Sequence, residues 1–151
     1  MFERYTEDAR RVLFYARYEA SELGGVAIES DHILLGLLRR ATGLTGEIFA
    51  RAQVSYDDVR ARIHARLGVC EKVGTSVEIP FSAETKRVLQ YAAEEADRLK
   101  HNDIGPQHLL LGLLREDQAS ATSILTKHGL LSAAVREEIA KQPSEKGGSE
   151  L

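Results

Sequence analysis

The chain has 151 residues, of which 43% are hydrophobic and 28% charged, and its formal net charge at pH 7 is −3. A chain of this length and composition is expected to form a soluble globular domain that buries a core without disulfides or structural metal. Its 20 Lys and Arg residues are interspersed with 23 Asp and Glu, whereas nucleic-acid binding needs a clustered basic surface, so nucleic acid is not an expected partner.

The cysteine content and the apolar runs indicate a compartment. Cys70 is the single cysteine, which excludes an intrachain disulfide and favours a reducing environment. The first residues include Glu3 and Arg4 where a signal peptide would be apolar, and no run reaches the roughly 18 apolar residues of a membrane span. We therefore expect a cytoplasmic protein without a membrane partner.

The most informative feature of the sequence is an internal repeat with an offset of 76 residues. Between positions 5 and 65 this register aligns 61 pairs without a gap, and 20 of them are identical. The longest match pairs 32–39, His-Ile-Leu-Leu-Gly-Leu-Leu-Arg, with 108–115, His-Leu-Leu-Leu-Gly-Leu-Leu-Arg. The repeat predicts one structural unit present twice, at about 1–67 and about 81–141.

The apolar periodicity within each copy is helical. In the first copy it predicts a long helix that opens at Thr6 as N-cap, and Ser82 has the same position in the second copy. The repeated segments are apolar on nearly all sides, which predicts buried central helices, one capped by Ser30 and the other with Pro106 at its first position. Shorter helices are expected around 44–52, 56–67, 119–128 and 132–141. The predicted fold class is therefore all-α, with two four-helix units.

Two segments are expected to lie outside these helices. Residues 68–80 contain two glycines and end in Val-Glu-Ile-Pro, which predicts an extended connector between the repeats. Residues 142–151 are polar and include two glycines, so they are expected to form a flexible tail.

Four segments resemble the duplicated N-terminal domain of Clp-type protein unfoldases: Met-Phe-Glu-Arg-Tyr-Thr at 1–6, Arg-Val at 11–12, Asp-His-Ile-Leu-Leu-Gly-Leu at 31–37 and Ile-Pro-Phe-Ser at 79–82. The resemblance covers about residues 1–141. It implies a bundle of eight helices with pseudo-two-fold symmetry that docks adaptor or substrate proteins for an ATP-driven ring and its protease.

The phosphate-binding loop of such a ring, Gly-x-x-x-x-Gly-Lys-Ser/Thr, does not occur in this sequence. If these residues are the whole protein, the chain is interpreted as a freestanding accessory or regulatory N-domain; the alternative is a piece of a longer unfoldase. It is expected to be a monomer that has no cofactor and is not an enzyme. Its expected partners are a Clp-family ATPase, the protease, an adaptor or a substrate protein.

The resemblance also implies a site for phosphorylated arginine in each repeat, formed by the hydroxyl residue that opens the first helix and by a Glu before the repeated His. In this sequence the first site would use Thr6 and Asp31, and the second Ser82 and Gln107. Asp31 keeps the charge that pairs with a guanidinium, whereas Gln107 has lost it. Because a charge-assisted hydrogen bond is roughly twice as strong as a neutral one, the first site is expected to be the stronger.

A second candidate site consists of the aromatic and apolar residues that precede the first helix of each copy. They are Phe2 and Tyr5 in the first copy and Ile79 and Phe81 in the second. Pseudo-symmetry would bring both helix starts to one surface, where partly exposed aromatic side chains form a groove that docks a peptide or an adaptor. The alternative is that Tyr5 and Phe81 only staple the starts of their own helices.

The sequence contains no recognisable metal or catalytic motif. His32 and His108 occupy equivalent positions, but neither has a Cys or a second His at the spacing of a metal site, so each is predicted to be a buried imidazole bonded to the backbone. No nucleophile elbow or His-Glu-x-x-His motif brings Ser, His and acidic residues together. The alternative function, a small-molecule sensor or enzyme on the same scaffold, would require a deep pocket with clustered titratable groups.

Overall fold

The computed structural model describes residues 2–67 and 78–142, and this part of the chain contains eight α-helices and no strand. The all-α prediction is confirmed. The helices are α1 (Glu7–Glu22), α2 (Ser30–Arg39), α3 (Gly43–Ala52), α4 (Tyr56–Leu67), α5 (Ala83–Arg98), α6 (Pro106–Arg115), α7 (Ser120–Lys127) and α8 (Ser132–Ala140). Most of the predicted connector and tail, and Cys70, lie outside the described residues. No described helix has the length and apolar character needed to cross a bilayer.

The long helices α1 and α5 begin with the same local structure. The hydroxyl of Thr6 accepts a hydrogen bond from the backbone N–H of Ala9 at 3.1 Å, and the hydroxyl of Ser82 accepts one from the N–H of Thr85 at 3.1 Å. These bonds satisfy donors that the first turn of a helix leaves without an intrahelical partner. Both predicted N-caps are therefore confirmed.

The start of α2 differs from the prediction, whereas the start of α6 agrees with it. The N-cap residue of α2 is Glu29, and Ser30 is already the first helical residue. The hydroxyl of Ser30 instead donates to Glu84 on α5 at 2.5 Å, so it links the two repeats rather than capping its own helix. Pro106 opens α6 as predicted, because the N–H that proline lacks has no intrahelical partner at that position.

The two leucine-rich helices α2 and α6 form the centre of the core. Their apolar side chains are fully buried at Ile33, Leu34, Leu35, Leu37, Leu109, Leu110, Leu111 and Leu113. Each central helix packs against the long helix of its own repeat at a glycine. A Cβ atom on Gly36 would lie 2.4 Å from the carbonyl oxygen of Val12, and one on Gly112 would lie 2.4 Å from that of Val88. The backbones of each helical hairpin are therefore in direct contact.

The two repeats are joined by exchanged backbone pairings. The N–H of Thr6 donates to the carbonyl of Ile104 at 3.0 Å, and the N–H of Ile104 donates to the carbonyl of Arg4 at 2.8 Å. The segment before α5 pairs in the same way with the segment before α2, where the N–H of Ile28 donates to the carbonyl of Pro80 at 2.7 Å. These equivalent pairings give the bundle the pseudo-two-fold symmetry that the sequence resemblance implied.

Candidate functional site

The structure brings three of the four predicted groove residues together. The rings of Phe2 and Tyr5 meet edge to face with 4.9 Å between their centroids, and the centroids of Phe2 and Phe81 are 6.1 Å apart. We call Phe2, Tyr5 and Phe81 the inter-repeat aromatic cluster. It contains side chains from the segments that precede α1 and α5.

The members of this cluster differ in how much surface they offer. Phe2 and Phe81 are half-buried and remain accessible in part. Tyr5 and Ile79 are each only 7% exposed, so they offer little surface to a partner. Burial raises the pKa of Tyr5 to about 12, which keeps its phenol neutral at physiological pH. The accessible part of the predicted groove is therefore formed by Phe2 and Phe81, and its docking role stays a prediction.

The geometry corrects the predicted pairing of the hydroxyl and acidic residues. Helices α1 and α2 are antiparallel, since Asp8 in the first turn of α1 pairs with Arg40 just after the end of α2 at 2.9 Å. Thr6 and Asp31 lie at opposite ends of this hairpin, and the 16 residues of α1 span about 24 Å. The two residues therefore cannot form one small site within the first repeat.

The exchanged backbone pairings place each hydroxyl residue next to a helix start of the other repeat. Thr6 lies beside Ile104, three residues before Gln107, and Ser82 lies beside Ile28, three residues before Asp31. The start of α1 is thus adjacent to the start of α6, and the start of α5 is adjacent to the start of α2. The candidate pairs are Ser82 with Asp31 and Thr6 with Gln107, each at two neighbouring helix N-termini that favour negative charge.

Asp31 already holds a guanidinium from its own chain. Its side chain is 4% exposed, pairs with Arg66 of α4 and accepts a hydrogen bond from the hydroxyl of Ser120 on α7 at 2.6 Å. The side chain of Arg66 is 47% exposed, so it covers the carboxylate from the solvent side. The positions equivalent to Asp31 and Arg66 in the second repeat are Gln107 and Gln142. The charged pair is therefore confined to the first repeat.

The two repeated histidines are buried and bonded to the backbone, as predicted. Nδ1 of His32 accepts a hydrogen bond from the N–H of Glu29 at 2.9 Å, and Nδ1 of His108 accepts one from the N–H of Gly105 at 2.9 Å. Each neutral ring therefore carries its proton on Nε2. Burial lowers the pKa of both imidazoles to about 4, so both are neutral at physiological pH.

The surroundings of Nε2 differ between the two copies. In the second repeat, Nε2 of His108 lies 2.9 Å from Nδ1 of His101. The equivalent of His101 in the first repeat is Gly25, and Nε2 of His32 has no hydrogen-bonding partner within the described part of the chain. Among the residues of 2–67 and 78–142, no group of three or more His, Cys, Asp or Glu is arranged to hold a metal ion.

One feature that the sequence reasoning missed is a buried glutamate in each repeat. In the first, the carboxylate of Glu19 is 1% exposed and contacts Arg39 of α2 at 3.2 Å and Arg60 of α4 at 3.3 Å. The hydroxyl of Tyr56 also donates to Glu19 at 2.5 Å. Burial, followed by this hydrogen bond, raises the pKa of Tyr56 to about 12. The carboxylate thus joins α1, α2 and α4.

The second repeat contains the same arrangement. Glu95 is fully buried and contacts Arg115 at 3.4 Å and Arg136 at 2.7 Å. A buried carboxylate is tolerated only when it is paired and hydrogen-bonded, which both copies achieve with two arginines. The signal was present in the sequence, because all three charged positions are identical between the repeats.

The fold, the exchanged helix starts and the repeated buried triad define a duplicated helical domain. The sequence matches the family model of the Clp repeat (R) N-terminal domain over residues 4–128 and 80–150. The chain therefore belongs to the Clp N-domain family.

Relatives and solved structures agree with this assignment. The chloroplastic chaperone protein ClpC of Pisum sativum is 37% identical over 149 residues, which are 99% of this chain and 16% of that protein. The homologue of the ATP-binding subunit ClpA from Porphyra purpurea is 37% identical over 145 residues, which are 96% of this chain and 18% of that protein. The chain thus spans less than a fifth of either relative.

Among solved structures, the N-terminal domain of the chaperone ClpD from Arabidopsis thaliana has a TM-score of 0.75 and 29% sequence identity, with 92% of this chain and 96% of that chain covered. The N-domain of ClpV from Vibrio cholerae has a TM-score of 0.72 at 17% identity, with 93% of this chain and 82% of that chain covered. At this identity the likeness shows the shared fold alone.

Proposed function

We propose that this chain is a non-catalytic, protein-binding module of a Clp unfoldase and protease system. It docks adaptor or substrate proteins as a monomer in the cytoplasm, and it acts as an accessory or regulatory N-domain. The observation that carries the proposal is the contact of Phe2 with Phe81, which places two partly accessible aromatic rings from different repeats on one surface.

The surroundings of these rings suit protein docking. Aromatic side chains near the centre of an interface contribute much of its binding free energy. The backbone pairing of Tyr5 with Ile104 and of Ile28 with Phe81 holds the helix starts in place, so little ordering is needed when a partner binds. Val26, two residues before Ile28, is 88% exposed and adds apolar surface to the loop that pairs with the second repeat.

The substitutions Phe2→Ala and Phe81→Ala test this proposal. Fluorescence anisotropy with fluorescein-labelled casein as an unfolded model substrate is expected to show weaker binding by about 2 kcal/mol, or about 30-fold, for the double variant. Leu131→Ala is the matched control, because Leu131 is an exposed apolar residue at the start of α8 (57% exposed). Circular dichroism establishes that each variant is folded at the assay temperature. Equal affinity of the folded double variant and the wild type would contradict the proposal.

A phosphorylated arginine is the proposed ligand of the helix-start sites. The support is that the helix starts carrying Ser82 and Asp31 are adjacent, where two helix N-termini favour the phosphoryl group and a carboxylate is already matched to a guanidinium. Thr6 with Gln107 is the weaker site, since an amide replaces the carboxylate. Calorimetry with free phosphoarginine tests both sites, and an absence of heat with the native chain would remove this ligand.

A further inference from the structure

Two hydrogen-bonded imidazoles lie beside one of the two exchanged backbone pairings. Nδ1 of His101 is 2.9 Å from Nε2 of His108. Because Nδ1 of His108 accepts from the N–H of Gly105, the proton of His108 lies on Nε2 and His101 is the acceptor. His101 belongs to the loop between α5 and α6. The same loop contains Ile104, whose N–H donates to the carbonyl of Arg4 at 2.8 Å.

The side chain of Arg4 holds this loop a second time. Its guanidinium donates to the carbonyl oxygens of Asn102 at 3.0 Å and His101 at 3.2 Å, and to the carboxylate of Asp97 at 2.8 Å. Arg4 belongs to the segment 2–6, which carries two of the three rings of the inter-repeat aromatic cluster. The loop therefore fixes the part of this cluster that precedes α1.

A proton on Nδ1 of His101 is incompatible with this arrangement. Nδ1–H would face Nε2–H of His108, so that two donors would meet where a hydrogen bond now lies. The positive ring would also lie near the guanidinium of Arg4, which is bonded to the carbonyl of the same residue. His101 is half-buried, and an open loop lets its ring take up the proton in water. Since the open loop binds this proton more tightly, a lower pH favours opening.

The charges around the pair do not remove this conflict. Burial, followed by the charges of His101 and Arg4, lowers the pKa of His108 to about 4, so a proton that the pair takes up at milder pH lies on His101. The carboxylate of Asp97 is paired with Arg4, and that of Glu95 with two arginines. The charged groups of the surrounding elements are Arg4 before α1, Glu95 and Asp97 on α5, and Lys100 and Asp103 in the loop itself.

The other exchanged pairing forms without these residues. There the N–H of Ile28 donates to the carbonyl of Pro80 at 2.7 Å. The positions equivalent to His101 and Arg4 are Gly25 and Pro80. The fold therefore builds this pairing without a histidine pair or an arginine, and the two pairings of one molecule differ in the groups that can respond to pH.

We propose that the His101–His108 pair is a pH-sensitive contact between the repeats. At neutral pH it holds the loop between α5 and α6 against the segment 2–6, and protonation of His101 releases this segment while the pairing of Ile28 with Pro80 stays closed. Histidine is the side chain that commonly changes its charge between pH 5 and 8, so the release falls within a range that a cell can reach.

Hydrogen exchange followed by NMR tests the proposal on the native chain. The protection factor of the Ile104 N–H is expected to fall about tenfold relative to that of the Ile28 N–H between pH 7.5 and pH 5.5, which is the size of one lost hydrogen bond. Unfolding of the whole domain affects both amides and leaves this ratio unchanged. The midpoint of the fall is expected to match proton uptake by the His101 ring, observed through its ¹⁵N chemical shifts. A constant ratio, or a midpoint that differs from that of the ring, would overturn the proposal.

A substitution then assigns the effect to one ring. His101→Asn places an amide oxygen near the position of Nδ1 and cannot take up a proton in this range, so the ratio is expected to become independent of pH. His128→Asn is the matched control, because His128 is also half-buried and bonded through Nδ1, to the carbonyl of Ala52 at 3.1 Å. A wild-type pH dependence in the His101→Asn variant would contradict the assignment. No docking partner is used, so the result does not depend on the proposed function.

Discussion

Acidification is expected to destabilise the domain through two buried histidines. His32 and His108 are each 1% exposed. Burial lowers both pKa values from 6.5 to about 4; nearby Glu19 and Glu95, respectively, oppose this shift. In the unfolded chain the same imidazoles regain a pKa of about 6.5. Between these two values the unfolded state binds more protons, so stability falls as the pH decreases through this window and is fully present above it.

The size of the effect follows from the width of the window. One unit of pKa difference corresponds to about 1.4 kcal/mol, and about 1.5 units of the difference lie above pH 5. Each histidine therefore lowers the free energy of unfolding by about 2 kcal/mol between pH 7 and pH 5, and the two together by about 4 kcal/mol. This is a large part of the roughly 5–15 kcal/mol that stabilises a typical domain.

Urea denaturation followed by circular dichroism at pH 7, 6 and 5 measures this loss. His32→Asn keeps an acceptor for the N–H of Glu29 and is expected to remove about half of the pH dependence. His64→Asn is the matched control, because His64 is exposed on α4, whereas His32 is buried. A wild-type midpoint that is the same at pH 7 and pH 5, or an unaltered pH dependence in the His32→Asn variant, would refute the reasoning.

Three further substitutions test the close packing of the helical hairpins and the pairing of Asp31 with Arg66. Gly36→Ala and Gly112→Ala are each expected to lower the free energy of unfolding by about 2 kcal/mol, because the new Cβ meets a backbone oxygen. Overpacking costs about 3 kcal/mol, and the better helix propensity of alanine offsets about 1 kcal/mol of it. A variant with the urea midpoint of the wild type would contradict the close approach of the helices. Arg66→Gln is expected to tighten phosphoarginine binding several-fold in calorimetry, because it removes a competing guanidinium from Asp31. Arg62→Gln is the control, since Arg62 is also exposed on α4. Unchanged or weaker binding would show that Arg66 does not compete.

The helices and the central core could be predicted from the sequence because their signals are local or repeated. Thr6 and Ser82 cap helices with the residue types that caps favour, and the periodic leucines of 32–39 and 108–115 identify the buried centre. The internal repeat then added the architecture, since two equal units with exposed apolar faces are stable when packed together.

The relation between the repeats could not be read from local patterns. Pairing of Thr6 with Ile104 depends on a contact between distant segments, and no residue type at either position indicates it. For this reason the expected sites within one repeat, Thr6 with Asp31 and Ser82 with Gln107, were wrong. Ser30 is a second example, because a serine before an apolar run favours an N-cap, yet its hydroxyl bonds to Glu84 of the other repeat.

The buried glutamates show a signal that was present but was not used. Glu19 and Glu95 sit among apolar residues on their helices, and each is matched by two arginines at equivalent positions of the repeat. Identity of charged residues between two copies indicates a shared structural role, whereas surface charges are free to diverge.

Capture from a native lysate tests the protein-docking function most directly. The immobilised chain and its Phe2→Ala/Phe81→Ala variant are incubated with the lysate, and bound proteins are identified by mass spectrometry. A Clp-family ATPase, its protease or one of their adaptors is expected to bind the wild type and to be lost from the folded variant. Recovery of none of these with the wild type, or of the same set with both chains, would contradict docking through the surface where the two repeats meet.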